Sequence, residues 1–270
     1  MKQNPKNAAA TAAPHPAMPM RVRKLSHVVA DALRSEIAAG QLNPGDQLMP
    51  EAELLQHFGV SRPTLREALR VVESEGLIQL GRGARTGATV LGPSIEIAAR
   101  YGTMYLAVEK TTLGDVHQVR TLLEPSLARL LARQPSRQLV AALRGCAERE
   151  RRSFDEADYV TTVSALNEFH RLMVQYSENR ALRLLAGILE GIPARIYRRF
   201  LEVGSRADTR RFMQQTARSV EAHEKLVHLI AAHEDDRAEA FWRDYMGETA
   251  AYLKRTGMDR LRVQLAHAHG

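Results

Sequence analysis

The chain has 270 residues, enough for two ordinary domains that each bury a core. Its 38 Lys and Arg against 31 Asp and Glu leave a formal charge of +7, which suits an anionic partner such as DNA. A single cysteine, Cys146, excludes an intramolecular disulfide framework and a cysteine-based zinc finger, and no apolar run reaches the roughly 20 residues that span a bilayer. A reducing cytosol is the expected compartment, with no membrane partner.

Residues 1–20 carry four prolines and no compact hydrophobic segment, and read as a disordered tail. A first helix is expected from about Lys24, where Leu25, Val28, Val29, Ala32, Leu33 and Ile37 recur at helical spacing and Gly40 supplies a stop. The turn signature Asn43-Pro44-Gly45-Asp46 leads to a short helix from about Glu51 to His57, which Gly59 ends. Ser61 suits the N-cap of a third helix that runs to about Glu75, before Gly76 breaks it. The apolar stretch Leu77, Ile78, Leu80, a turn over Gly81–Arg85 and the stretch Ala88–Leu91 read as a hairpin wing. Gly92-Pro93-Ser94 is the natural boundary, so residues 21–92 form a winged helix-turn-helix, α with a small β-hairpin.

Beyond Ile95 the pattern is helix after helix, near 95–109, 113–133, 137–152, 155–176, 180–201, 207–233 and 236–255. Apolar residues such as Val119, Leu122, Leu123, Leu127, Leu130 and Leu131 mark single faces, which predicts an antiparallel all-α bundle over 95–256. Residues 257–270 are expected to fray.

The third helix carries Arg62, Arg66 and Arg70 at i, i+4 and i+8, one face of a helix. A recognition helix presents its N-terminal residues to base edges, where Arg bonds guanine through O6 and N7, so Arg62 and Arg66 are the expected base readers. Thr64 suits a base edge or phosphate, Ser61 and the leading N–H groups suit a phosphate oxygen, and Arg70 a backbone contact. The competing reading is a solvated face paired with Glu67 and Glu73. The order of short helix, tight turn, arginine-faced helix and Gly/Arg-tipped hairpin, with Arg82, Gly83 and Arg85 at the tip, favours DNA.

The run GQLNPGDQLMPEAELLQHFGVSRPTLREALRVVESEGLI with the wing GRGARTGATV resembles the N-terminal domain of the GntR family of bacterial regulators. The resemblance implies DNA contacts at Arg62, Thr64, Arg66, Arg82 and Gly83. Ala52 stands where many members carry an arginine. The stretches TLGDVHQVRTLLEPSLARLLA, NEFHRLMVQYSENRAL and VEAHEKLVHLIAAHEDDRAEAF resemble the FCD ligand-binding domain of the FadR-type branch, over about 95–255. Many members of that branch hold a divalent metal with an Asp, a His four residues later and two further His. Here His170 and His223 match two histidines, while Leu166 replaces the Asp and Tyr245 the last His. Leucine has no donor atom and neutral tyrosine is a poor ligand, so no tightly bound metal and no other cofactor are expected.

His170 and His223 then read either as hydrogen-bonded core histidines or as lining for an effector pocket, with Tyr245 donating into it and Leu166 forming an apolar wall. Arg120 is the expected partner for an acidic group on an organic acid or acyl thioester, although Arg120 and Glu124 also have the spacing of an i, i+4 ion pair. Trp242 reads as core or subunit contact, and Cys146 as a packing residue. Arg195, Arg198 and Arg199 read as surface or interdomain charges. The resulting expectation is a homodimeric, effector-controlled transcription repressor in the bacterial cytoplasm, held at the nucleoid by double-stranded operator DNA. Two alternatives are a metal-assisted enzyme using His170, His223, Glu168 and Asp244, and an architectural DNA-binding protein with no cavity in its bundle.

Overall fold

The computed structural model describes residues 24–81, 87–203 and 206–264. The expected tail over 1–20 and the expected wing tip at Arg82, Gly83 and Arg85 lie outside the described residues. The chain divides into two compact units, Met1–Pro93 and Ser94–Gly270.

In the first unit α1 (Leu25–Ala38), α2 (Glu51–Phe58) and α3 (Arg62–Ser74) precede β1 (Ile78–Leu80) and β2 (Ala88–Val90). The strands pair antiparallel with Ile78 opposite Val90 and Leu80 opposite Ala88, the hairpin that the alternating apolar stretches predict. Gly59 ends α2 at φ +62°, a left-handed conformation that costs glycine no Cβ clash and turns the chain sharply into α3. Leu33, Leu65, Val72, Ile78 and Val90 make the core, so α3 buries one face and leaves the opposite one in solvent. Arg34 of α1 holds the end of α3 in place through a two-bond fork onto Glu75, at 2.7 and 2.6 Å.

The second unit contains α4 (Ile95–Val108), α5 (Leu113–Arg133), α6 (Arg137–Asp155), α7 (Tyr159–Gln175), α8 (Arg180–Val203), α9 (Arg206–Ala231) and α10 (Asp235–Thr256). Side-chain caps start five of these: Ser94, Thr112, Ser136, Asp158 and Asn179 each accept a backbone N–H of the first turn. Helix α5 is central. It lies along α10 and also touches α7, α8 and α9. Leu127, Leu143, Phe169, Met173, Leu226, Ile230 and Trp242 form the main core.

Two expectations fail here. Val119, Leu122 and Leu130 were assigned to the buried face of α5 with Leu127 and Leu131, yet they are exposed while Leu127 and Leu131 are buried. The buried face of α5 instead carries His117, Arg120 and Glu124, which bond to Met246 on α10, to each other and to His170 on α7. Fraying from residue 257 is also not found as far as 264. Residues Met258–Arg260 form a short 3-10 turn, Thr112 bridges Arg262, and Val263 is buried with its N–H on the carbonyl of Thr111 at 2.9 Å.

Candidate functional site

Two sites emerge, one on each unit. On α3 the side chains of Arg62, Arg66 and Arg70 are exposed and border one shallow groove with Glu67 and Ser74. Ser61 occupies the N-cap position without capping, its hydroxyl sharing a 2.9 Å hydrogen bond with that of Thr64. The first-turn N–H groups of α3 therefore stay available to an acceptor from outside the helix. The reading that pairs the three arginines with Glu67 and Glu73 does not hold. Glu73 accepts the backbone N–H of Leu80 at 2.9 Å, and Glu67 approaches Lys24 at 3.9 Å. Arg66 pairs instead with Glu51 at the start of α2, at 3.4 Å, while Arg62 and Arg70 have no ion pair among the described residues. Ala52 is exposed next to Glu51 and brings no cation to this surface.

The second unit encloses a cavity of about 70 Å³. Arg120, Leu166, His170, His223 and Tyr245, the five residues expected around an effector pocket, all line it, and His117 and Asn167 join them. Such a cavity counts against an architectural protein with a solid bundle.

Glu124 organises one wall. Its Oε1 accepts from Arg120 Nε at 2.6 Å, and its Oε2 accepts from both His170 Nδ1 at 2.9 Å and Trp242 Nε1 at 3.0 Å. Burial opposes a charge on Glu124, but Arg120 and the hydrogen bonds from His170 and Arg120 together hold its carboxyl well below the usual range. Burial pulls the His170 imidazole down to about 4 despite that carboxylate. His170 is therefore neutral near pH 7 and donates from Nδ1, which leaves a lone pair on Nε2. The guanidinium of Arg120 uses only Nε internally. Its two Nη nitrogens have no partner among the described residues.

Glu150 of α6 orients a second imidazole of the lining, that of His223. Both its oxygens lie within reach of His223 Nδ1, at 2.9 and 3.0 Å, and both side chains are completely buried. The His223 ring is clamped by Phe169, stacked at 4.0 Å between centroids, and its Nε2 is buried without a protein partner. His117, three residues before Arg120 on the same face of α5, completes the set. Burial holds its imidazole down at about 4, so it is neutral; Nε2 donates to the carbonyl of Met246 at 3.1 Å, and Nδ1 is buried and unpartnered.

These residues do not fit the metal that the FCD branch implies. Among the described residues no three His, Cys, Asp or Glu converge to hold an ion. Glu124 and Glu150 reach the imidazoles through Nδ1, as carboxylates behind a ligand shell would, but Leu166 offers no donor. Burial pushes the Tyr245 phenol up to about 12, so it stays protonated and is a poor ligand. The enzyme reading fails on geometry. Glu168 pairs outward with Arg149 at 3.0 Å and Arg171 at 3.4 Å, and Asp244 is exposed, so neither joins His170 and His223.

Reading the sequence missed three members of this site. Arg120 and Glu124 were recognised as an i, i+4 pair, but not that Glu124 also fixes His170 and Trp242. His117 was legible, since it shares a face with Arg120. Glu150 carried no signal, being 73 residues from the histidine it orients.

The sequence pattern of the bacterial regulatory proteins, gntR family, matches residues 25–87, and that of the FCD domain matches residues 115–248. The HTH-type transcriptional repressor NanR of Salmonella bongori is 32% identical over 164 residues, which are 60% of this chain and 61% of that protein. NanR of Salmonella newport is 32% identical over 60% of this chain and 62% of its own length. The chain thus spans about three-fifths of the length of these curated relatives. The solved structure of Streptococcus agalactiae GntR superposes with a TM-score of 0.62 at 20% identity, covering 84% of this chain and 99% of that one, a likeness of fold.

Proposed function

The chain belongs to the GntR family of bacterial regulatory proteins, with an FCD domain as its second unit, and from that we propose that it is a sequence-specific DNA-binding transcription repressor controlled by a small organic effector. The observation that carries the reading is the exposed face of α3, where three arginines border a groove at a helix start whose N–H groups are uncapped. Arg62 and Arg66 read base edges, Ser61, Thr64 and Arg70 hold phosphates, and the wing residues Arg82, Gly83 and Arg85 reach the neighbouring groove.

Two copies bind the halves of a palindromic operator. An apolar stripe on α4 supports self-association: Tyr101, Met104, Tyr105 and Val108 recur at i, i+3, i+4 and i+7 and stand exposed by 50, 45, 65 and 71%. The effector occupies the cavity around Arg120, His170, His223 and Tyr245. Its size supports a small acid over an acyl thioester. For regulation the effector must bind one placement of the DNA heads better than the other, since equal affinity shifts nothing. The protein then acts in the cytoplasm, at the nucleoid.

Selection of operator sequences from a random duplex pool with the purified chain, followed by fluorescence anisotropy, tests this. Selected sites should bind at least a hundredfold tighter than scrambled duplex, and Arg66→Ala should erase that margin. Equal affinity for selected and scrambled duplex would remove the specific regulator reading.

A further inference from the structure

The resident metal of the FCD branch does not fit this cavity, and what the residues build instead has its own ligand chemistry. Three imidazoles line it, and each has one nitrogen committed within the protein: His117 Nε2 to the carbonyl of Met246, His170 Nδ1 to Glu124, and His223 Nδ1 to Glu150. The other nitrogen of each has no partner among the described residues. For His117 Nδ1 and His223 Nε2 that nitrogen is buried, on side chains 3% and 0% exposed. His117 and His170 are neutral near pH 7, so the second nitrogen of each offers an accepting lone pair. Leaving such a group buried and unpaired costs free energy, so the set favours a ligand that supplies hydrogen-bond donors.

Among the described residues the only cation lining the cavity is Arg120, whose Nη edge has no partner there while its Nε is held by Glu124. That edge matches a carboxylate. Among the described residues no aspartate or glutamate lines the cavity, and Glu124 and Glu150 behind the lining are already engaged by Arg120, His170 and His223, so an ammonium group would enter without a free counter-charge, whereas a hydroxyl needs none. A volume of about 70 Å³ restricts the occupant to a few carbons.

Building on the effector reading of this cavity, we propose that the ligand is a small hydroxycarboxylate bound without metal: Arg120 takes the carboxylate, and the unpaired nitrogens of His117, His170 and His223 hydrogen-bond its hydroxyls. The imidazoles at the former metal positions thereby read hydroxyl groups directly. Glu124 and Glu150 are positioning residues that fix which nitrogen faces the ligand.

Isothermal titration of the full chain, dialysed against EDTA, with propionate, lactate, glycerate and alanine tests this. These acids share three carbons and differ in carrying no hydroxyl, one hydroxyl, two hydroxyls or an ammonium group. Affinity should rise at least tenfold from propionate to glycerate with lactate between, alanine should bind no better than propionate, and EDTA should change nothing. His223→Phe keeps the stacking on Phe169 and should remove most of the glycerate advantage while changing propionate affinity less than threefold; His117→Leu is the second variant if the first does not fold. Equal affinity for propionate and glycerate would overturn the hydroxyl assignment and leave an acid-binding cavity standing. Binding restored only by added zinc would overturn the metal-free assignment. Binding by none of the four would overturn the acid reading of the cavity, and this inference with it.

Discussion

The two sites of this protein are built by opposite means. The arginine face of α3 is local and exposed: its cations come from successive turns of one helix, and Arg62 and Arg70 have no ion pair among the described residues. The cavity of the second unit is assembled and buried, taking His117, Arg120 and Glu124 from α5, Glu150 from α6, His170 from α7, His223 from α9 and Trp242 from α10. An exposed charge needs only solvent to be stable, whereas a buried one depends on an opposite charge and hydrogen bonds within the protein. Substitutions should therefore separate the two units, costing binding in the first and stability in the second.

The sharpest contrast is expected at Glu124. Glu124→Ala strands the Arg120 charge and the N–H groups of His170 and Trp242, and removing one member of a buried pair costs about 3–5 kcal/mol. Denaturant unfolding should show that loss, while DNA binding by the protein that remains folded is retained. Loss of less than about 1 kcal/mol would mean that solvent, not Glu124, satisfies these donors.

Acid should act through the second unit. His117 titrates at about 4 when folded, below its ordinary 6.5, so between those values the unfolded chain takes up the proton first. Stability from this group is complete above about pH 6.5 and is lost as pH falls toward 4, to a limit of about 3 kcal/mol. His117→Leu should flatten that part of the stability profile measured by urea unfolding.

Packing between α4 and α8 depends on two glycines. A Cβ on Gly187 would lie 2.6 Å from Ile95 Cγ2, and one on Gly102 would lie 2.5 Å from Ile188 Cγ2. Gly187→Val should cost about 1–3 kcal/mol by overpacking. Since α4 begins directly after Pro93, comparing effector response in this variant and in the parent, by operator binding with and without ligand, tests whether α8 transmits the signal.

In the first unit the expected effects fall on affinity alone. Arg66→Ala should cost about 1–3 kcal/mol of operator binding with no change in unfolding midpoint. Glu51→Gln, which removes the partner of Arg66 and an acidic charge beside the groove, should tighten DNA binding by a few tenths of a kcal/mol, the scale of an exposed ion pair. An unfolding midpoint that shifts with either variant would contradict the division between the two units.

Much of the fold was legible because its determinants are short-range. Gly59 and Gly76 punctuate the helices around α3, and Ser94, Thr112, Ser136 and Asp158 cap the bundle helices where their side chains can reach the first turn. The wing strands lie at 78–80 and 88–90, where apolar runs flank a stretch rich in Gly and Arg. Periodicity failed on α5 because hydrophobicity does not distinguish a leucine facing solvent from one facing the core when the true core face carries a histidine, an arginine and a glutamate. It failed after Gly257 because the segment is too short to show a period: Met258 and Val263 are buried singly, and backbone bonds to Thr111 and Leu113, which leave no mark in composition, hold it in place.

By itself the sequence determined two units, the helical class and the arginine face, all set by spacings within about one or two helical turns, while the residues that could surround a cavity followed from the resemblance to the FCD domain. Only the tertiary structure decided that Arg66 rests on Glu51, that Glu124 and Glu150 orient His170 and His223, and that three imidazole nitrogens are left unpaired in one cavity. Those outcomes depend on hydrogen bonds between residues up to 129 positions apart, as from His117 to Met246, and such partners are chosen by packing and by the cost of leaving a buried polar group unmet.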